Sequence, residues 1–218
     1  MKNKIIKFLP VIIIILVVIF TFIILNYTSS KEIIGINNYD KNYYLENYLE
    51  DLDSSLEIFP DNKNNFINAT FKSSLQTNLF DTDGYIILKT KYNKIDFDNE
   101  INRLKNISMT IKEKCYKDSK EHTNNIIYDE ESYDYPAYIT IDGFAYIYEY
   151  ALINEKDLEI TYIYLSYPTT NNDNYSKYLK KDKSKYNGNN ENLKLYSMYN
   201  HTFDNNKTYV EFDDCNYN

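Results

Sequence analysis

The sequence has no tryptophan, only four glycines and four prolines, two cysteines, two histidines and a single arginine, Arg103, in 218 residues. Four glycines cannot build a phosphate-cradling loop, and no G-x-S-x-G elbow or S-x-x-K pair is present. His122 and His201 stand in unrelated polar stretches, without the spacing that holds a metal. One arginine and a formal charge of -8 leave no basic stripe for nucleic acid. The sequence therefore calls for no catalytic residue, no cofactor and no metal ligand.

What the chain has is one long apolar run, Phe8 to Leu25, with Lys2, Lys4 and Lys7 ahead of it. About 18 uncharged residues is the least that crosses a hydrocarbon core as a helix. No small-residue cleavage site follows, since Asn26 to Ser30 is polar and the first alanine is Ala69. The run predicts an uncleaved single-pass anchor over residues 1–27, with its N-terminus cytoplasmic by the lysine bias and the rest outside the cell. The membrane is thus one expected partner. No acid precedes residue 32, so the remainder is more acidic than the whole chain.

Residues 28–38 read as a spacer and 39–218 as one extracytoplasmic domain. The expected fold is α+β, a transmembrane helix followed by a mainly antiparallel sheet of five or six strands with one or two packed helices. Asp40 can cap a helix carrying Leu45, Tyr48, Leu49, Leu52 and Leu56, ending near Ser54-Ser55. Leu56 to Phe59 reads as extended before Pro60. Phe66 to Lys72 and Gly84 to Tyr92 read as strands able to pair antiparallel. Asp96 to Lys105 is the best helix: Asp96 as cap, acids in the first turn, Arg103 and Lys105 in the last, and a stripe of Phe97, Ile101 and Leu104. Ile107 to Ile111 alternates as a strand, and Lys112 to Asn125 reads as irregular.

Asp142-Gly143 between aromatic-aliphatic runs is a strong hairpin signal. A two-residue turn there sets Ile141 opposite Phe144 and Ala137 opposite Tyr148. It gathers Ala137, Ile139, Ile141, Phe144, Tyr146, Tyr148, Tyr150 and Leu152 on one buried face, where the Asp96–Lys105 helix is expected to pack. Leu158 to Tyr167 completes a three-stranded meander. Residues 168–192 are poor in apolar side chains and read as a flexible excursion, with a helical turn near Tyr175–Lys180. Leu193 to Tyr199 and Tyr209 to Phe212 read as short edge strands.

Glu149 falls mid-strand on the meander's other face, an unusual place for a carboxylate. The plain reading is an acceptor for tyrosine hydroxyls; the functional one pairs it with Asp129 or Glu130 in a hydrolase. Cys115 and Cys215 could form a disulfide pinning the C-terminus to the Ile107–Ile111 strand, or remain two unrelated thiols. The 25 tyrosines could offer a stacking surface or simply fill strands.

Three stretches, SSLEIFP at 54–60, FDNEINRL at 97–104 and the YPAYITI and YEYAL runs within 133–165, resemble a family of small anchored or secreted proteins from low-GC Gram-positive bacteria. The likeness covers residues 54–165 and implies a compartment but no active site, because the family's function is unassigned. Together these features suggest a surface-displayed, non-catalytic module that binds an envelope protein or a glycan. A carboxylate hydrolase and a structural subunit of an envelope assembly are the alternatives.

Overall fold

The computed structural model describes residues 11–21, 32–48, 55–61, 63, 65–77, 82–114, 119–186 and 196–199. Helix α1 covers residues 11–21, all apolar but Thr21 and all exposed. At 1.5 Å per residue its described part is about 16 Å long, against about 30 Å of hydrocarbon. Among the described residues no helix is long and apolar enough to cross a membrane. The expected transmembrane helix, and the extracytoplasmic placement built on it, are thereby corrected.

The remainder is an α+β fold around an eight-stranded sheet in which every strand-to-strand pairing is antiparallel. The strands are β1 (Ile33–Ile34), β2 (Asn68–Thr77), β3 (Thr82–Lys91), β6 (Ile127–Asp129), β7 (Ala137–Asp142), β8 (Ile147–Asn154), β9 (Glu159–Ser166) and β10 (Tyr196–Ser197). Their order is β1-β2-β3-β9-β8-β7-β10, with β6 also on β7. A separate ribbon pairs β4 (Ser108–Lys114) with β5 (Ser119–Asn125). Part of the stretch expected to be irregular is therefore the strand β5. In the β2–β3 hairpin Gly84 lies opposite Leu75 at φ 134°, and a Cβ there would sit 1.9 Å from the Ser74 carbonyl oxygen. Only glycine admits so close a backbone approach.

Helix α2 (Lys41–Tyr48) has Asp40 as its cap, its carboxylate accepting from the Tyr43 amide at 3.3 Å. Helix α3 (Lys94–Lys105) begins two residues before the expected start, because the Asn93 side chain accepts from Asp96 N–H at 2.9 Å and takes the capping role. Phe97 and Leu104 are buried and Ile101 half-buried, as their spacing predicts.

Both sheet faces are buried. The first, under α2 and α3, packs Phe71, Leu88, Ile147, Ala151, Ile153, Ile160, Tyr162 and Tyr164 against Tyr44, Phe97 and Leu104. The second packs Ile87, Ala137, Ile139, Tyr148, Tyr150, Ile163 and Leu165 under Tyr175, Leu179 and Tyr186. Helix α3 thus lies on the face opposite to Tyr148 and Ile163, contrary to expectation.

The β7–β8 hairpin also departs from expectation. Gly143 adopts the left-handed region (φ 85°), and its amide donates to the Ile147 carbonyl at 2.8 Å. The loop holds four residues, Gly143 to Tyr146, so Ile141 pairs with Glu149 rather than Phe144. A bulge between Ile139 and Ile141 then sends these two isoleucines to opposite faces. Phe144, released from the ladder, packs against the first face instead.

Residues 168–186 are no loose excursion as far as they are described. They form a strap over the second face, with a 3-10 turn at Ser176–Tyr178 where a helical turn is expected. Lys180, only 4% exposed, donates to both carboxylate oxygens of Asp142 at 2.6 Å and lies 5.7 Å from the Tyr133 ring centre. The Lys180 amide donates to the Tyr186 hydroxyl at 2.8 Å. Residues 187–195 and the expected strand at 209–212 lie outside the described residues.

Candidate binding site

Glu149 is fully buried on the first face. Its Oε1 accepts from the Ile58 amide at 3.3 Å and the Tyr199 hydroxyl at 3.4 Å. Above it sits a turn, not the extended segment expected for residues 56–59: Leu56 has φ 51° and its carbonyl accepts from Phe59 N–H at 2.9 Å. The turn is held by cations and a phenol. Arg103 donates to the Glu57 and Ile58 carbonyls at 2.8 and 2.7 Å, Lys41 reaches the Phe59 carbonyl and Asp61, and Tyr39 donates to the Pro60 carbonyl. Arg103 is itself fixed by two bonds to the Glu100 carboxylate, which also accepts from Tyr162 at 2.6 Å. The Tyr162 hydroxyl in turn bonds that of Tyr92 at 2.7 Å. Unionised phenol suits this dry network: burial, then the Glu100 charge, drives the Tyr162 and Tyr92 hydroxyls well above their ordinary value.

Glu149 thus accepts from a tyrosine hydroxyl and an amide. Asp129 pairs across from Ala137, a second-face residue, so it and Glu149 lie on opposite sides of the sheet. Burial would raise the Asp129 carboxyl, but the Ser132 amide and hydroxyl and the Glu131 amide outweigh it and hold it below its ordinary value. Asp129 is thus the acceptor of a turn, and Glu130 beside it is exposed. Cys115 and Cys215 lie outside the described residues, as does His201. His122 sits in β5 across from Ile111. Among the described residues no group of three His, Cys, Asp or Glu side chains could hold a metal ion.

A cleft of about 420 Å³ opens at the end of the sheet beneath the C-terminus of α3. Ile101, Ile126 and Ile153 give it an apolar lining. The ring centres of Tyr128 and Tyr138 lie 4.8 Å apart within it, Tyr138 buried and Tyr128 47% exposed. Lys105, in the last turn of α3, and Glu155, in the β8–β9 turn, add opposite charges to the lining. Burial, then Tyr128 and the Glu155 carboxylate, pushes the Tyr138 hydroxyl up to about 12. The cleft is partly open to solvent and mixes apolar with charged lining, and no nucleophile–base pair lies among its lining residues.

None of these residues is singled out for binding by the sequence alone. Ile101 reads as core stripe, Lys105 as a dipole-compensating base and Tyr138 as an ordinary strand residue. Their meeting depends on β6 pairing with β7 next to α3, and residues 126–129 carry no distinct strand signal. Compared with protein-family models, with curated proteins and with solved structures, the chain matches none.

Proposed function

We propose that this domain is a non-catalytic binding module and that the cleft of Tyr128, Tyr138 and Ile153 receives a partner protein's apolar side chain. The cleft itself carries the reading: an apolar lining, a tyrosine pair and charges of both signs, without any reactive group. A side chain flanked by one acidic and one basic residue would complement Lys105 and Glu155. The paired-carboxylate hydrolase fits less well, since it needs two acids facing each other across about 5–9.5 Å, and Glu149 and Asp129 face away from each other.

A photo-crosslinking residue placed at position 128 in living cells tests this. One partner should be captured, should be displaced by excess unlabelled wild-type domain, and should be lost when Glu155→Arg reverses the charge at the exposed rim of the cleft. Equal capture from the exposed position 102 on α3 would refute the site. Hydrolysis abolished by Glu149→Gln in a variant that melts like wild type would refute the non-catalytic reading.

A further inference from the structure

Lys180 and Asp142 form the most enclosed ion pair among the described residues, their side chains 5% and 25% exposed. In each of the others one partner is 37% exposed or more. Tyrosine rings surround it. The ring centres of Tyr133 and Tyr150 lie 4.7 Å apart, and so do those of Tyr148 and Tyr186. Burial first, and the Asp142 charge after it, raises the hydroxyls of all four. Drying a lysine and an aspartate in this way disfavours their charged forms. The neutral pair that a proton shift between them produces is a carboxylic acid beside a free amine, and a desolvated lysine amine is a nucleophile. Both Asp142 oxygens are 2.6 Å from Nζ. That puts the nitrogen about 3 Å from the carboxyl carbon, the separation of a near-attack pair. A second carboxylate is at hand. Asp129 accepts from the Ser132 amide at 2.9 Å, and the Ser132 carbonyl accepts from the Lys181 amide at 2.9 Å. Against its burial, and after the Ser132 and Glu131 hydrogen bonds, the Lys180 charge helps to hold Asp129 low.

We infer that Lys180 and Asp142 condense to an intramolecular isopeptide bond. The Asp142 carboxyl turns about Cβ–Cγ to present its face, and Lys180 Nζ attacks Cγ. The Nζ–Cγ bond forms and one Cγ–Oδ bond breaks. The departing oxygen leaves as water with two of the three ammonium protons. Asp129 carries one of these from Nζ to that oxygen and ends ionised, as it began. The opposite charges cancel, so the step needs no oxidant, reductant or energy carrier. Amide formation between free ions in water is unfavourable, but a fixed pair has an effective concentration of about 10⁵ M or more. A dry pocket also holds back the reverse hydrolysis. Asp142-Gly143 could lose water in another way, by ring closure through the Gly143 amide. That amide is committed to the Ile147 carbonyl at 2.8 Å. The isopeptide bond ties the strap to the β7–β8 turn through residues 38 apart in sequence.

The test is intact-mass spectrometry of the full chain, purified folded, held at neutral pH and then denatured. Wild type should be lighter than its sequence by one water. Its proteolytic digest should contain one branched peptide joining the segments that hold Asp142 and Lys180. Lys180→Arg keeps the positive charge but cannot give up a proton, and should have the full sequence mass. Asp129→Asn keeps an acceptor for the Ser132 and Glu131 amides but carries no proton. It should melt close to wild type and yet form the bond about a hundredfold more slowly. Wild type at its full sequence mass, with the circular dichroism of a folded domain, overturns the inference. A water loss that persists in Lys180→Arg is ring closure at Asp142-Gly143 and overturns it too. Bond formation at wild-type speed in Asp129→Asn overturns the role given to Asp129.

Discussion

The two faces of the sheet are covered in opposite ways. The first lies under helices whose apolar side chains recur at helical spacing, and its buried hydroxyls are joined in a chain from Tyr92 through Tyr162 to Glu100 and Arg103. The second lies under a polar strap that contributes only a few rings, closed by the Lys180–Asp142 pair. Among the described residues each side leaves one buried hydroxyl without a hydrogen-bond partner, Ser55 Oγ beside the first-face turn and Tyr133 on the second face. A face can thus be dried either by a regular element or by a few well-placed rings on irregular backbone.

The largest effect to expect is common to both faces. Tyr162 and Tyr199 on the first face and Tyr133 and Tyr150 on the second are all pushed well above the ordinary phenol value, chiefly by burial. The folded state holds these protons, and the unfolded chain releases them near pH 10. Their stabilisation is therefore complete below about pH 10 and disappears as pH rises beyond it. Four such groups together cost about 5–6 kcal/mol per pH unit, comparable to a whole domain's stability of about 5–15 kcal/mol. Tyrosinate absorbance should rise in two stages, a gradual one from exposed rings and a steep one coinciding with loss of circular dichroism. If one face's tyrosines ionise well before the fold is lost, the two faces are not equally dry.

Substitutions sharpen the contrast. Phe97→Ala empties a fully packed site beneath α3 and should cost about 3–5 kcal/mol in urea unfolding. Lys180→Met keeps the length of the side chain but strands Asp142, and should cost about 2–3 kcal/mol. That variant should also expose the 168–186 strap to limited proteolysis before the rest of the domain. The smallest pair is the most telling. Tyr162→Phe removes a donor to Glu100 and should destabilise by about 2 kcal/mol, whereas Tyr133→Phe removes a hydroxyl that bonds nothing and should be neutral or stabilise by up to about 1 kcal/mol. The same chemical change on the two faces should thus differ in sign, and equal losses in chemical denaturation would dissolve the distinction.

The second face was the more legible in its strands, since Ala137, Ile139, Tyr148, Tyr150 and Leu152 share it as their alternation predicts. Phe97, Ile101 and Leu104 announce α3 by spacing, but nothing in that spacing says which face of the sheet the helix covers. The position of the β7–β8 turn is readable from Asp142-Gly143, but its length is not: the chain takes a four-residue loop in which Phe144 packs half-buried against the first face. The bulge at Ile139/Ile141 has no local signal, and it decides which face Ile141 joins. The strap looks like a linker because Tyr175, Leu179 and Tyr186 are too sparse for any period; their value comes from the second face already being there. The cleft and the Lys180–Asp142 pair are further removed still, since each joins residues from segments that local pattern cannot bring together. The apolar run misled in another way: its length suggests a membrane span, while the helix described covers residues 11–21 alone.

The order of strands in the sheet has a kinetic consequence. The hairpin β2–β3 and the meander β7–β8–β9 are each built from neighbours in sequence, but they join only where β3 pairs with β9, with Tyr92 N–H donating to the Leu158 carbonyl at 3.0 Å. Closing that long intervening loop costs about 2 kcal/mol more entropy than closing a tight turn. The meander should therefore assemble first and present β9 as a template, with β3 zipping onto it late and with α3 docking as the seam closes. In pulse-labelling hydrogen exchange the amides of β8 should gain protection before those of β2. Until the seam closes, β9 has a bare edge of alternating tyrosine and aliphatic residues, so the slow step of folding is also when two unfinished chains are best able to pair with each other.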